Sequence, residues 1–168
     1  MNQPLKVLFL CTGNSVRSII AEYVLRKKGK GRFEVFSAGA KPTGKVNPLA
    51  FWVLREMFGV DASDARSKSW DEFRDVQFDI VITVCDDAKE SCPFWPGKQI
   101  LAHWSSPDPA AFSGIDEQKK QFFIDVASQI SRRIDLLCAF PNEKLVPSQL
   151  QDIGNQHQIN LTPGIRPS

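Results

Sequence analysis

Three short stretches of the chain carry residues that could do chemistry. The first is Cys11-Thr12-Gly13-Asn14-Ser15-Val16-Arg17-Ser18, a thiol and a guanidinium separated by five residues and followed by a hydroxyl. A loop of that length, pinned between a strand end and a helix start, can turn its backbone N–H groups inward around an oxyanion. Gly13 would allow close backbone approach and unusual dihedrals. Asn14 tolerates left-handed backbone and can brace the loop through its amide. Arg17 can lay its fork over two oxygens of a tetrahedral anion. The same N–H groups and the helix dipole would favour the thiolate of Cys11 and make it a nucleophile. Ser18 could donate to that sulfur or assist its departure. On spacing alone the pair could be a small buried Cys and a surface Arg. The strand before it, the Gly within it and the Ser and helix after it favour the anion loop.

The second stretch, VCDDAKESCP, sets Cys85 at the end of an apolar run and Cys92 seven positions on. If the residues between them are helical, the two Cα atoms lie about 10.5 Å apart along the axis. A disulfide needs them within about 7 Å, so a bond between them would require the segment to unwind. Two Asp and a Ser, followed by Cys92-Pro93, are weak helix formers and suit such a change. Taken separately, Cys85 reads as a core residue and Cys92 as a partly buried loop thiol. Behind a Cys-x5-Arg loop the two together favour redox chemistry. Zinc is a poor alternative, since two Cys at this spacing lack two further ligands and neither His103 nor His157 stands in a ligand motif. Cys138 reads as core. The third stretch, SSPDPAAF, holds Asp108-Pro109, which by itself is an ordinary turn.

The elements that must position these residues follow from the pattern. Lys6–Leu10 is a continuous apolar run, as expected of a strand buried on both faces. Residues 15–28 read as a helix closed by Gly29 and Gly31. Residues 34–37 form a second short strand. Asn47-Pro48 starts a helix that Gly59 ends. Ser69 to Glu72 has capping-box spacing for a short helix. Phe78–Val84 and Gln99–His103 are further strands, and 116–140 is a long amphipathic helix. Strands alternating with helices give an α/β fold with a parallel sheet covered on both faces. After Pro141 the composition turns to Gln, Asn and Pro without sustained period. Residues 1–140 therefore read as one catalytic domain, and 141–168 as an extension, partly disordered or draped on the surface.

With 168 residues and 42% hydrophobic content the chain can bury a substantial core. A net charge of +2 argues against nucleic acid or an anionic membrane as partner. No apolar run reaches the length of a membrane span, and the start lacks the features of a signal peptide. A cytoplasmic location with reduced thiols is the expectation.

The loop CTGNSVRS resembles the phosphate loop of the low-molecular-weight protein tyrosine phosphatase family. That resemblance covers about residues 5–140 and implies a four-stranded parallel sheet of order 2-1-3-4 flanked by helices. CTGNS, the SAG at Ser37–Gly39, the VNP at Val46–Pro48, the HW at His103-Trp104 and above all the cysteine pair resemble its thioredoxin-coupled arsenate reductase branch. The resemblance implies that Cys11 forms a thiol–arsenate adduct in a pocket made by Thr12 to Ser18. Cys85 then attacks Cys11 as arsenite leaves, and Cys92 attacks Cys85. The resulting Cys85–Cys92 disulfide is reduced by thioredoxin, or by glutathione with glutaredoxin. Val16 stands where some members carry a further cysteine. Asp108 matches the general acid of the family's Asp-Pro loop. Ala110 and Ala111 stand where tyrosine phosphatases usually carry aromatics, which points to a small inorganic oxyanion, arsenate or phosphate. No resident cofactor is implied, although some members bind a potassium ion, part of whose site would be Asn14, Glu22 and Ser37. A monomer is expected. The alternatives are a phosphatase working through a Cys11 cysteinyl-phosphate, and a non-catalytic oxyanion-binding module. Retention of Cys11, Arg17, Ser18 and Asp108 together argues against the second of these.

Overall fold

A computed structural model describes residues 3–86, 90 and 92–159. Strand β1 (Leu5–Cys11) lies inside the sheet, and Val7 to Leu10 are completely buried, which is why that run is apolar without alternation. It pairs in parallel with β2 (Phe33–Gly39) from Leu5↔Phe33 to Cys11↔Gly39. On its other side it pairs with β3 (Ile80–Thr83), from Val7↔Ile80 to Leu10↔Thr83. β4 (Ile100–His103) completes a parallel sheet of order β2-β1-β3-β4. β3 is shorter than its apolar run. Phe78 instead points into an aromatic cluster, and Val84, whose N–H still donates to the Leu10 carbonyl, turns its own carbonyl to Arg17.

Alternate residues of β1 face different layers. Val7, Phe9 and Cys11 meet the main core formed with α1 (Arg17–Lys28), α2 (Pro48–Phe58) and α3 (Asp116–Ala139). Leu8 and Leu10 meet a smaller cluster with Phe78 and Trp95, backed by Phe36, Trp70 and Phe73. One turn of 3-10 helix, Trp70–Phe73, covers this second face. The capping-box reading holds by halves. The Ser69 side chain accepts from Asp71 N–H, while Glu72 turns away to pair with Arg66. α2 starts as its sequence requires, with Asn47 accepting from Leu49 N–H and Pro48 in the first turn. It ends on Gly59 at φ +62°, a conformation that a side chain would strain.

The segment after Pro141 departs from an extension without regular structure. Pro147–Gly154 forms a helix, α4, with Leu150 and Ile153 buried in the main core and Gly154 pressed on the His103 carbonyl. Three spaced apolar contacts suffice here, because polar side chains anchor the rest. Trp104 Nε1 donates to the Leu150 carbonyl at 3.0 Å. The buried Arg133 of α3 donates to the carbonyls of Gly154, Gln156 and Ser105. Residues 160–168 lie outside the described residues. Among the described residues no helix is long and apolar enough to cross a membrane.

Candidate active site

The Cys11–Arg17 loop sits at the carboxyl end of the sheet, where open α/β sheets form their binding crevice. Its carbonyls are taken from outside: Cys11 by Ala40 N–H, Thr12 by Lys41, Gly13 by Thr43 and Ser15 by Asn47. The Ser67 hydroxyl also donates to Gly13. A loop whose carbonyls face out turns its N–H groups to the concave side, and there Asn14 N–H donates to Cys11 Sγ at 3.2 Å. The left-handed residue is Asn14, at φ +48°, rather than Gly13. Gly13 serves by its size, since a Cβ there would come within 3.3 Å of the Thr43 methyl. Gly39 is held to glycine more strictly, because a Cβ would strike the Thr12 carbonyl. α1 begins at Arg17, two residues later than its sequence pattern, so Ser15 and Val16 belong to the loop. Its first turn has no side-chain cap, which leaves that end for an anion.

The surroundings of Cys11 follow from counting donors. Asn14 Nδ2 donates to both Ser18 Oγ, at 2.8 Å, and Ser37 Oγ, at 3.0 Å. Each hydroxyl must then send its own hydrogen elsewhere. That of Ser37 goes to Glu22 Oε1, and that of Ser18 goes to Cys11 Sγ, 2.9 Å away. Ser18 is thus fixed as a donor to the sulfur. Arg17 is 4% exposed. Its NH1 donates to the Ser106 carbonyl at 3.1 Å and to Glu90 Oε1 at 2.5 Å, and its NH2 lies 3.9 Å from Asp108 Oδ2. Burial opposes the guanidinium charge. The hydrogen bond to Glu90 and the fields of Cys11 and Asp108 outweigh it and hold Arg17 above its usual value. Burial likewise opposes the Glu90 carboxylate, but Arg17 prevails and holds it below its usual range. Glu90 therefore engages the guanidinium that an oxyanion would need. Asp108 precedes a 3-10 turn, its Oδ1 accepting from Ala110 N–H and its other oxygen facing Arg17.

Cys85 is completely buried just past β3, with its sulfur 3.8 Å from Thr12 Oγ1, under the loop. Cys92 is partly exposed. The two thiols are hydrogen-bonded to each other, so the separation expected for a helical segment is not present. Neither cysteine is in a helix, and residues 87–89 and 91 lie outside the described residues. The hydrogen bond to Cys92 and burial push the Cys85 thiol up. The same bond, helped by His103 and Thr83 against burial, brings Cys92 down to about 5. Of the two, Cys92 is the more acidic thiol. His103 Nδ1 lies 2.6 Å from Thr83 Oγ1 and 3.9 Å from Cys92 Sγ. Cys138 packs against the core from α3, half-buried and far from this group in the fold.

Asn14, Glu22 and Ser37 do converge, but on Lys68. Its Nζ donates to Asn14 Oδ1, Ser37 Oγ and the Arg66 carbonyl at 3.3, 3.1 and 3.0 Å, and lies 3.8 Å from Glu22. An ammonium stands where a monovalent cation would be held, so the residues present do not fit a potassium ion. Glu90 and Lys68 were not legible as site residues. Lys68 meets Asn14 from 54 positions away and Glu90 meets Arg17 from 73, so neither has a local signal.

This sheet, with a Cys-x5-Arg loop at its carboxyl end, defines the class: the chain belongs to the low molecular weight phosphotyrosine protein phosphatase family, which it matches over residues 6–144. Its relatives within that family include arsenate reductases. An arsenate reductase of Halalkalibacterium halodurans is 38% identical over 128 residues, covering 76% of this chain and 91% of that protein. A solved arsenate reductase in the phosphate binding state is 31% identical with a TM-score of 0.67, over 80% of this chain and 97% of its own. The thioredoxin-dependent arsenate reductase of Corynebacterium glutamicum is 29% identical with a TM-score of 0.59, over 82% of this chain and 61% of that one.

Proposed function

We propose that the chain reduces arsenate to arsenite through Cys11, Cys85 and Cys92. The observation that carries this reading is the hydrogen-bonded Cys85–Cys92 pair lying under the anion loop. Hydrolysis of a phosphoester has no use for a second and third thiol. The relatives named above support the same substrate.

The Cys11 thiolate, held by the Ser18 hydroxyl and Asn14 N–H, attacks arsenic. Arg17 gathers the equatorial oxygens once Glu90 swings away, and Asp108 protonates the departing oxygen. Cys85 then attacks Cys11 Sγ. The S–S bond forms as the S–As bond breaks, and its electron pair stays on arsenic, which leaves as arsenite. The Cys85 proton passes along the existing hydrogen bond to Cys92. Cys92, relieved of that proton through solvent or His103, attacks Cys85 and frees Cys11. The Cys85–Cys92 disulfide ends on the partly exposed Cys92, open to an external dithiol. Thioredoxin is the donor that the Corynebacterium relative suggests, with glutaredoxin and glutathione as the other choice. Residues 1–140 form the catalytic unit, and the described part of the extension, 141–159, supports it, in a monomeric cytoplasmic enzyme.

The test is purified protein with arsenate, thioredoxin, thioredoxin reductase and NADPH. Wild type turns over. Cys92→Ser releases one arsenite per enzyme and stops as a Cys11–Cys85 disulfide, and Cys85→Ser stops earlier with arsenic on Cys11. Normal turnover by both serine variants overturns the reading in favour of a phosphatase.

A further inference from the structure

Lys68 and Glu22 are both buried, at 8% and 3% exposure. Burying a lysine is costly, and burial pulls its ammonium down while Glu22 holds it up. A salt bridge placed for stability alone could have been replaced by apolar side chains. This one is wired to the nucleophile. Lys68 gives Asn14 Oδ1 two hydrogen bonds, from its backbone N–H at 2.9 Å and from Nζ at 3.3 Å. With its oxygen committed, the Asn14 amide can present only Nδ2 to Ser18 and Ser37. Ser18 is thereby left to donate to Cys11. The ammonium thus stands at the head of a row of donors that runs Lys68, Asn14, Ser18, Cys11, each polarising the next towards the sulfur.

We infer that Lys68 is a positioning residue for Cys11: its backbone N–H fixes the Asn14 amide, and its side chain is a covalently tethered cation that charges the donor row behind the thiolate and takes the place of a bound monovalent ion. The charged groups around it are Glu22 and Arg26 of α1, Arg66 on its own segment and Glu72 of the 3-10 turn. Arg26 reaches the outer oxygen of Glu22 and is partly exposed, so Lys68 is the cation on the inner side. The Lys68 backbone N–H survives substitution, so the Asn14 amide keeps its orientation in a variant while the charge is lost. Removing the side chain to Cβ leaves Glu22, Asn14 Oδ1, Ser37 Oγ and the Arg66 carbonyl around an opening of ammonium size, all oxygen donors suited to potassium.

The inference rests on Cys11 as the nucleophile. Its test is therefore made without arsenate, so that its failure is separable from failure of the reductase reading. The rate of Cys11 alkylation by iodoacetamide is measured at pH 6.5 by peptide mass spectrometry, in potassium chloride and in tetramethylammonium chloride, whose cation is too large to enter. Wild type reacts at one rate in both salts. Lys68→Ala reacts about threefold to tenfold more slowly in tetramethylammonium chloride, the scale of one nearby charge acting through a relay. Potassium restores most of that loss. Glu22→Gln, which removes the opposing charge, reacts faster than wild type and keeps the inference testable if Lys68→Ala does not fold. Lys68→Ala at the wild-type rate in both salts overturns the inference. So does a slow rate that potassium leaves unchanged in a folded variant, or a Glu22→Gln that reacts more slowly than wild type.

Discussion

Replacing Glu90 with Gln should tighten oxyanion binding. The Glu90 carboxylate meets Arg17 NH1 at 2.5 Å, and its Oε1 also accepts from Asp86 N–H. Unit charges about 4 Å apart attract by about 4 kcal/mol at an effective dielectric of about 20. Withdrawing the carboxylate from water offsets most of that. The Glu90 side chain keeps 21% exposure, which screens it further. A net preference of about 1–2 kcal/mol for the closed contact remains, or roughly 5–30-fold in an equilibrium constant. An incoming arsenate or phosphate must overcome this preference to reach Arg17. Gln keeps the shape and a weaker hydrogen bond, so the gain lies at the lower end. The Kd for phosphate, measured by isothermal titration calorimetry on reduced protein at pH 7.5 and fixed ionic strength, should fall roughly fivefold to tenfold. A Kd unchanged within about twofold, or a weaker one, would show that the carboxylate is not competing for the site and would refute the reasoning.

The cysteine pair predicts a pH dependence. With Cys92 brought down to about 5, its sulfur is a thiolate at pH 6, whereas burial pushes the Cys138 thiol up. Iodoacetamide at pH 6 should therefore label Cys92 well ahead of Cys138, and acidifying below pH 5 should slow that labelling. Cys138 labelled first would contradict the assignment. In the extension, Leu150→Ala removes a fully buried side chain and should lower stability to urea by about 2–4 kcal/mol. It should leave the phosphate Kd unchanged, and a loss under about 0.5 kcal/mol would mean that α4 does not belong to the cooperative core.

What could be read from the sequence was what lies close together along it. The Cys11–Arg17 spacing, the apolar strand before it and the Asn47-Pro48 helix start are local, and each appears in the fold where its chemistry requires. The counterparts of the loop are not local. Lys68 reaches Asn14 from 54 positions away and Glu90 reaches Arg17 from 73, and both residues are of types found mostly on surfaces. Arg133 is similar: a buried guanidinium in α3 that donates to the carbonyls of Ser105, Gly154 and Gln156 and to the Ser106 hydroxyl. Composition after Pro141 concealed α4 for a related reason. Its attachment adds a tryptophan, an arginine and a glutamine to only two buried aliphatic residues, Leu150 and Ile153, too few to show a period.

The attachment of α4 has a bearing on how molecules meet each other. β4 is the last strand of the sheet, and a terminal strand offers a row of backbone groups that another chain can extend. At His103 this row is already taken. The Gln151 amide accepts from His103 N–H at 2.9 Å and returns a hydrogen bond to its carbonyl at 3.0 Å, so one side chain does what a residue of a fifth strand would do. At the opposite margin, Gly39 N–H is met by the Lys68 carbonyl. The same turn that carries the buried ammonium thus blunts one border of the sheet, and the helix after Pro147 blunts the other. Protection against sheet-to-sheet aggregation is built into segments whose other contacts lead to the Cys11 loop and the Ser105–Ser106 turn.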